Sequence, residues 1–477
     1  MDTVSETEEA RREKYIRKAS TVIDFTMVVV FVFITYVSVL NKNILQPLAS
    51  HNATSIDTIP DYDISSATVL SILFVGLALG QLCEWMTLPP LLGMLICGIV
   101  LRNLPLNLFV PRPWSSFLRR AAFVVILLRG GLSLNAEHLK TMKGACIRLA
   151  LFPCTIEALS ILIFSRLLFS LQWIFGFMLG FVLAAVSPAV VVPSMIRISQ
   201  EGYGSRVSSL VVAAASLDDV YAITLFSVCF SIAFSTGDSL LWTVLRAPIE
   251  VAAGIGLALF LGYGLRYVRK EWRLVVLVSC GMASFFGCAS LTFDSAGALC
   301  VLVTAFIVSP AWRDDEGRLS EEGSLRRVWD LFLQPLLFGL IGFELTFALL
   351  SLNLVLLGLL LLFIGLSFRT AAAFLATYGS GLSLRERLFV SLAWSPKATV
   401  QAALASLALD AVEKGGRWDE DCRQGAIVIL AVAVLSILTT APIGAGLIRV
   451  TAPILLEKEE ETTEEAVELK ALHDIHQ

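Results

Sequence analysis

The sequence predicts an all-α polytopic membrane protein of about fourteen transmembrane helices, built as inverted repeats with two crossing discontinuous helices. Three observations predict it. Of 477 residues, 56% are hydrophobic and 16% charged, far from the balance of a soluble domain. Apolar runs long enough to span a bilayer recur along the whole chain, separated by short polar links. Two Ser-Pro breaks, one in each half, lie deep within such runs.

Residues 1–20 are too charged for a signal n-region and read as a cytosolic segment. Residues 21–40 are apolar, lack a small-residue cleavage site and read as a retained first helix, so 21–65 is an extra N-terminal helix with its external link. Further spans begin near residues 66, 88, 118, 144, 171, 206, 239, 272, 294, 328, 353, 384 and 424. The transmembrane domain occupies 66–452, and 453–477 is an acidic cytosolic tail. Basic residues cluster on alternate links, at Lys140/Lys143, Arg197/Arg206, Arg266–Arg273, Arg313–Arg327 and Arg385/Arg387. The intervening links at 235–239, 290–294 and 350–353 carry none, which places both termini in the cytosol. Arg102, Arg112, Arg119 and Arg120 break this alternation, because their link falls outside. The sequon Asn52-Ala53-Thr54 is also external.

Several function classes are disfavoured. No basic stripe suits nucleic acid, so the expected partners are membrane lipids. The 9 cysteines are scattered without a C-x-x-C and read as small core residues; the 4 histidines have no metal-ligand spacing. Neither an enzyme nor a cofactor is expected. Filter loops and arginine ladders, the marks of channels and voltage sensors, are not found.

Charges inside apolar runs carry the functional reading. Asp218 and Asp219 are adjacent in the run from about Arg206 to Phe234. A carboxylate at bilayer depth is costly, so such a pair points to an ion pathway or proton relay. The breaks are Val186-Ser187-Pro188, followed by Pro193, and Ser395-Pro396, followed by Thr399. Each proline removes a helix donor, so Pro188 frees the Ala184 carbonyl and Pro396 that of Leu392. Glu157 and Arg369 occupy equivalent places one span before each break, where an acid and a base stay charged by pairing. Glu250 and Glu344 lie nearer span ends and read as solvated or mouth-lining, and Arg129 before Gly130-Gly131 marks a helix end.

Four strings, V-S-P-A-V-V-V-P-S-M (186–195), S-L-D-D-V (216–220), Q-P-L-L-F-G-L-I-G (334–342) and W-S-P-K-A-T-V-Q-A-A (394–403), resemble the cation:proton antiporter superfamily. The likeness is to its animal NHA-type sodium/hydrogen exchangers, subfamily B of solute carrier family 9, and runs from about Ser66 to Leu447. It implies an NhaA-like fold and a homodimer whose six-helix core moves, elevator fashion, against a dimerisation domain. Na+ or Li+ would exchange for H+, with Asp219 as the alternating site and Asp218 beside it. Lys397 would be counter-ion to Asp218, and Glu157–Arg369 a structural salt bridge.

The chemistry fits those residues. Exchange needs one site that holds a cation or a proton but not both, which a carboxylate titrating near the working pH provides. Sodium and lithium are hard cations that take oxygen ligands. Helix side chains lean toward the N-terminal turn, which puts the ion near Ala215 and Ser216, with the freed Ala184 carbonyl as a further ligand. Consecutive helical positions point about 100° apart, so Asp218 and Asp219 have distinct roles. Two titrating carboxylates would move charge; if Lys397 and Asp218 stay paired, exchange is electroneutral. A channel and a transport-dead sensor are the alternative classes. The plasma membrane is the expected residence, with endosomal or mitochondrial membranes as alternatives.

Overall fold

A computed structural model of the chain describes residues 62–86, 88–105, 108–133, 143–234, 240–291, 293–314, 319–347, 351–415 and 420–458. The expected first helix, the Asn52 sequon and most of the acidic tail lie outside these residues. Among the described residues the chain is helical without a strand; an isolated bridge joins Tyr203 to Lys458.

The helices are α1 (Tyr62–Trp85), α2 (Pro90–Asn103), α3 (Arg112–Ser133), α4 (Lys143–Phe169), α5 (Trp173–Ala184) and α6 (Pro188–Gln200). They continue as α7 (Ser205–Phe234), α8 (Leu240–Leu265), α9 (Arg273–Ser290), α10 (Asp294–Trp312), α11 (Ser320–Val328) and α12 (Gln334–Glu344). The last five are α13 (Leu352–Ala376), α14 (Leu384–Ala393), α15 (Thr399–Leu404), α16 (Leu407–Gly415) and α17 (Glu420–Leu455). Among the described residues, 8 helical stretches are long and apolar enough to cross a bilayer, α5 and α6 counting together as one. α2 and most of α10 are shorter apolar helices.

Sequence places the ends. Ser351 accepts from the Leu354 amide at 3.2 Å to start α13. Ser383 and Glu386 form a reciprocal capping box at the start of α14, at 2.7 and 3.3 Å. Gly379 and Gly381, at φ +70° and +74°, turn the chain between these helices in a conformation that only glycine adopts cheaply.

The helices form two neighbouring groups. In one, α1, α2 and α12 pack together, α3 joins them to α9 and α10, and α8 packs on α10. In the other, α4, α5, α6, α7, α13, α14, α15 and α17 surround the two helix breaks. Close approach fixes the second group. A Cβ on Gly180 would lie 2.6 Å from the Ala158 carbonyl oxygen, so α4 and α5 touch backbone to backbone. That contact sets Glu157, the neighbour of Ala158, beside the end of α5. On α17, a Cβ on Gly444 would lie 2.5 Å from the Pro396 ring.

Three sequence expectations are corrected here. Arg129 does not end its helix: α3 runs on to Ser133, with Arg129 over the Trp329 ring at 5.5 Å. Glu250 is not solvated: it is fully buried within α8. Arg119 is not in a link; it is 3% exposed within α3 and bonds Ser115, Glu344 at 2.7 Å and Asp410 at 3.0 Å. Arg112 pairs with Glu413, and Arg102 lies over the Phe343 ring at 5.2 Å. Carboxylate and ring partners hold these cations, so they are weak topology signals. Glu344 is where the sequence put it, at the end of α12.

Two glycines two positions apart on α17 should respond oppositely to an added methyl. Gly444→Ala, driven against Pro396, should destabilise the protein by about 1–3 kcal/mol. Gly446→Ala, which meets nothing within 4 Å, should be neutral or slightly stabilising. Thermal melting of the two purified variants in detergent reads the difference.

Candidate functional site

α5 stops at Ala184 because Pro188 offers no donor, and Ala185 (ψ 135°) and Ser187 (ψ 108°) continue in extended conformation. Pro188 then opens α6 at a position where its missing N–H costs nothing. Pro193, expected to share in the break, lies inside α6; the helix runs through it and merely forgoes the bond to the Ala189 carbonyl. The second break spans residues 394–398, between α14 and α15, and Thr399 is the first residue of α15. The freed Leu392 carbonyl accepts from the Ser395 hydroxyl at 2.8 Å. The two breaks are bonded to each other: the Ser187 amide donates to the Pro396 carbonyl at 2.8 Å.

A helix that stops inside a protein strands its last carbonyls. Here, side chains from the other half of the chain satisfy them. Gln401 Nε2 donates to Val182 O at 2.8 Å and Ala185 O at 3.0 Å. Lys397 Nζ donates to Leu183 O, and Arg369 Nη1 to Ala184 O. Arg369 Nε also reaches the end of α14, donating to Trp394 O at 2.7 Å. Both cations therefore sit at helix C-termini, where the backbone dipole favours positive charge.

Two carboxylates balance them. Glu157 receives Arg369 Nη1 at 2.8 Å and Lys397 Nζ at 2.7 Å. Asp218 Oδ2 accepts from the Val186 amide at 2.6 Å and from Arg369 Nη2 at 3.2 Å. All four side chains are at most 1% exposed. Asp219 differs from Asp218 beside it: it is 8% exposed, and its Oδ1 is buried without a partner. Asp218 Oδ1, Ser187 Oγ, Thr399 Oγ1 and Gln401 Oε1 are also buried and unpartnered.

The geometry revises three sequence expectations. Lys397 pairs with Glu157, not with Asp218; the arginine takes Asp218 because its fork spans two acids and two carbonyls at once. The Ala184 carbonyl, expected to serve the ion, accepts from Arg369 Nη1, and that positive charge disfavours a second cation on the same oxygen. Ala215 is buried in an unbroken α7, where helix bonding engages its carbonyl. Glu157 and Arg369 do meet. Sequence reasoning missed Gln401, the Val186 amide and the Leu183 and Trp394 carbonyls; a lone glutamine just past the second break was the one available signal.

The transmembrane sodium/hydrogen exchanger family model matches residues 69–448. "Sodium/hydrogen exchanger 9B2" of Mus musculus is 42% identical over 393 residues, covering 80% of this chain and 71% of that protein. "Sodium/hydrogen exchanger 9B1" of Homo sapiens is 38% identical over 397 residues, covering 81% and 76% respectively. Among solved structures, the sodium proton antiporter MjNhaP1 of Methanocaldococcus jannaschii at pH 8 superposes with a TM-score of 0.67 at 19% identity. It covers 82% of this chain and 98% of that one, a likeness of fold.

Removing one member of the charge network strands the others. Glu157→Gln leaves Lys397 and half of the Arg369 fork uncompensated and should cost about 3–5 kcal/mol. Glu157→Gln combined with Lys397→Met removes the pair together and should recover part of that loss. Melting temperatures of the single and double variants test this.

Proposed function

Because the chain belongs to the sodium/hydrogen exchanger family, we propose that it is a secondary antiporter that exchanges Na+ or Li+ for H+ at Asp219. The observation that carries this reading is that, among the described residues, Asp219 alone of the five charged groups gathered at the breaks has no ion pair, and its Oδ1 is buried without a partner. Glu157 and Asp218 are matched by Arg369 and Lys397, leaving the negative charge of Asp219 unbalanced. Unbalanced charge is costly in a buried site. Either a proton or a monovalent cation neutralises it, and the two exclude each other at one carboxylate. That mutual exclusion is antiport chemistry.

Charge balance also supports a stoichiometry. With Asp218 held by Arg369 and the Val186 amide, one carboxylate turns over, and one H+ exchanges for one Na+ without net charge movement. Protons compete with sodium, so apparent sodium affinity weakens as pH falls.

In the same reading, α5–α6 and α14–α15 are the crossing discontinuous helices of two inverted repeats. The group of helices around them, with α4, α7, α13 and α17, is the core that moves elevator fashion. The α1–α3, α8–α10 and α12 group is the scaffold of a homodimer in the plasma membrane. No cofactor is needed.

Purified protein in liposomes tests the proposal, with internal pH followed as sodium, lithium or potassium is added outside. Sodium or lithium should drive proton movement in wild type, and Asp219→Asn should abolish it. The rate should not respond to a clamped membrane potential. Exchange by Asp219→Asn at the wild-type rate would overturn the site, and cation flux without proton movement would favour a channel.

A further inference from the structure

A dehydrated hard cation needs several oxygen ligands, whereas a proton is satisfied by one. Asp219 cannot supply them alone, and the Ala184 carbonyl already accepts from the Arg369 cation, whose charge disfavours a second cation there. We infer that the second helix break supplies the missing neutral oxygens, Thr399 Oγ1 first and Gln401 Oε1 beside it, so that Thr399 sets cation affinity independently of proton affinity. This rests on the exchange reading above and names residues that reading leaves unused.

Two observations carry it. The first is that both oxygens are buried without a partner: Thr399 is 4% exposed and Gln401 0%. A buried hydroxyl or carbonyl that bonds to nothing is penalised, and native proteins retain such groups where they serve another purpose. The second is placement. Gln401 Nε2 donates to Ala185 O, one residue from the Val186 amide that binds Asp218. Those bonds fix the amide group, leaving Oε1 as its unused end. Thr399 begins α15 just after Pro396, whose carbonyl is bonded to Ser187 in the first break. Gln401 thus sits at the junction that binds Asp218, Thr399 opens the helix that carries it, and both oxygens are neutral. Neutral oxygens solvate a cation without taking its place in the charge balance.

The absence of a protein partner makes the test sharp. Thr399→Val keeps shape and removes an oxygen that bonds to nothing in the protein, so a purely structural Thr399 would tolerate it or gain stability. As a ligand, its loss should raise the half-saturating sodium concentration by about tenfold, the scale of one bond to a charged group. The maximal rate, the melting temperature and the pH midpoint at trace sodium should stay put. Thr399→Ser, which keeps the oxygen, should restore wild-type affinity. Wild-type sodium affinity in Thr399→Val would overturn the inference, as would a failure of Thr399→Ser to restore it. Asp219→Asn, run alongside, separates this failure from failure of the exchange reading, because that variant is inactive only if the central carboxylate is right.

Discussion

The structure depends on the fate of the carbonyls stranded where α5 stops in the interior. Val182, Leu183, Ala184 and Ala185 present oxygens that no helix partner can reach, and each receives a donor from Arg369, Lys397 or Gln401. The donors come from the other half of the chain, so the bonds that heal the first break also tie the halves together. Two of the three donors are cations, which the negative end of a helix favours. Buried cations in turn require carboxylates, and Glu157 and Asp218 answer that need. A broken helix therefore dictates a charge cluster.

The same cluster explains why two adjacent aspartates differ. Asp218 lies on the helical face that meets the Val186 amide and Arg369, and it is locked there. Asp219 points elsewhere and is slightly exposed, and its buried Oδ1 meets no donor among the described residues. Four paired charges that sum to zero thus surround one carboxylate without an ion pair, which is the arrangement the proposed exchange at Asp219 uses.

Much of this was legible in the sequence because buried charge and interior proline are both expensive. Pro188, Pro396, Glu157, Arg369, Lys397 and the aspartate pair stand out in apolar runs for that reason. The Glu157–Arg369 pair was legible as well, but the partners of Lys397 and Asp218 were not. Lys397 and Arg369 are both cations near the second break, and only three-dimensional geometry shows that the guanidinium fork takes Asp218 while the ammonium takes Glu157. Gln401 was overlooked because one neutral amide in an apolar run costs little and so signals little. Glu250 was placed at a mouth although the start of α8 was read within one residue, because hydropathy locates a span but does not show which of its residues neighbouring helices bury. Arg119 was read as a link residue because its partners, Glu344 and Asp410, are more than 200 positions away in sequence.

The central claim is that one carboxylate, Asp219, exchanges a proton for a cation while the other four charges stay paired. Calorimetry of sodium binding to the purified protein, repeated in buffers of different ionisation enthalpy, counts the protons released per cation bound. The account predicts a value near one where Asp219 is protonated beforehand, falling toward zero as pH rises. Release of two protons per sodium would show that Asp218 also titrates, and would contradict it.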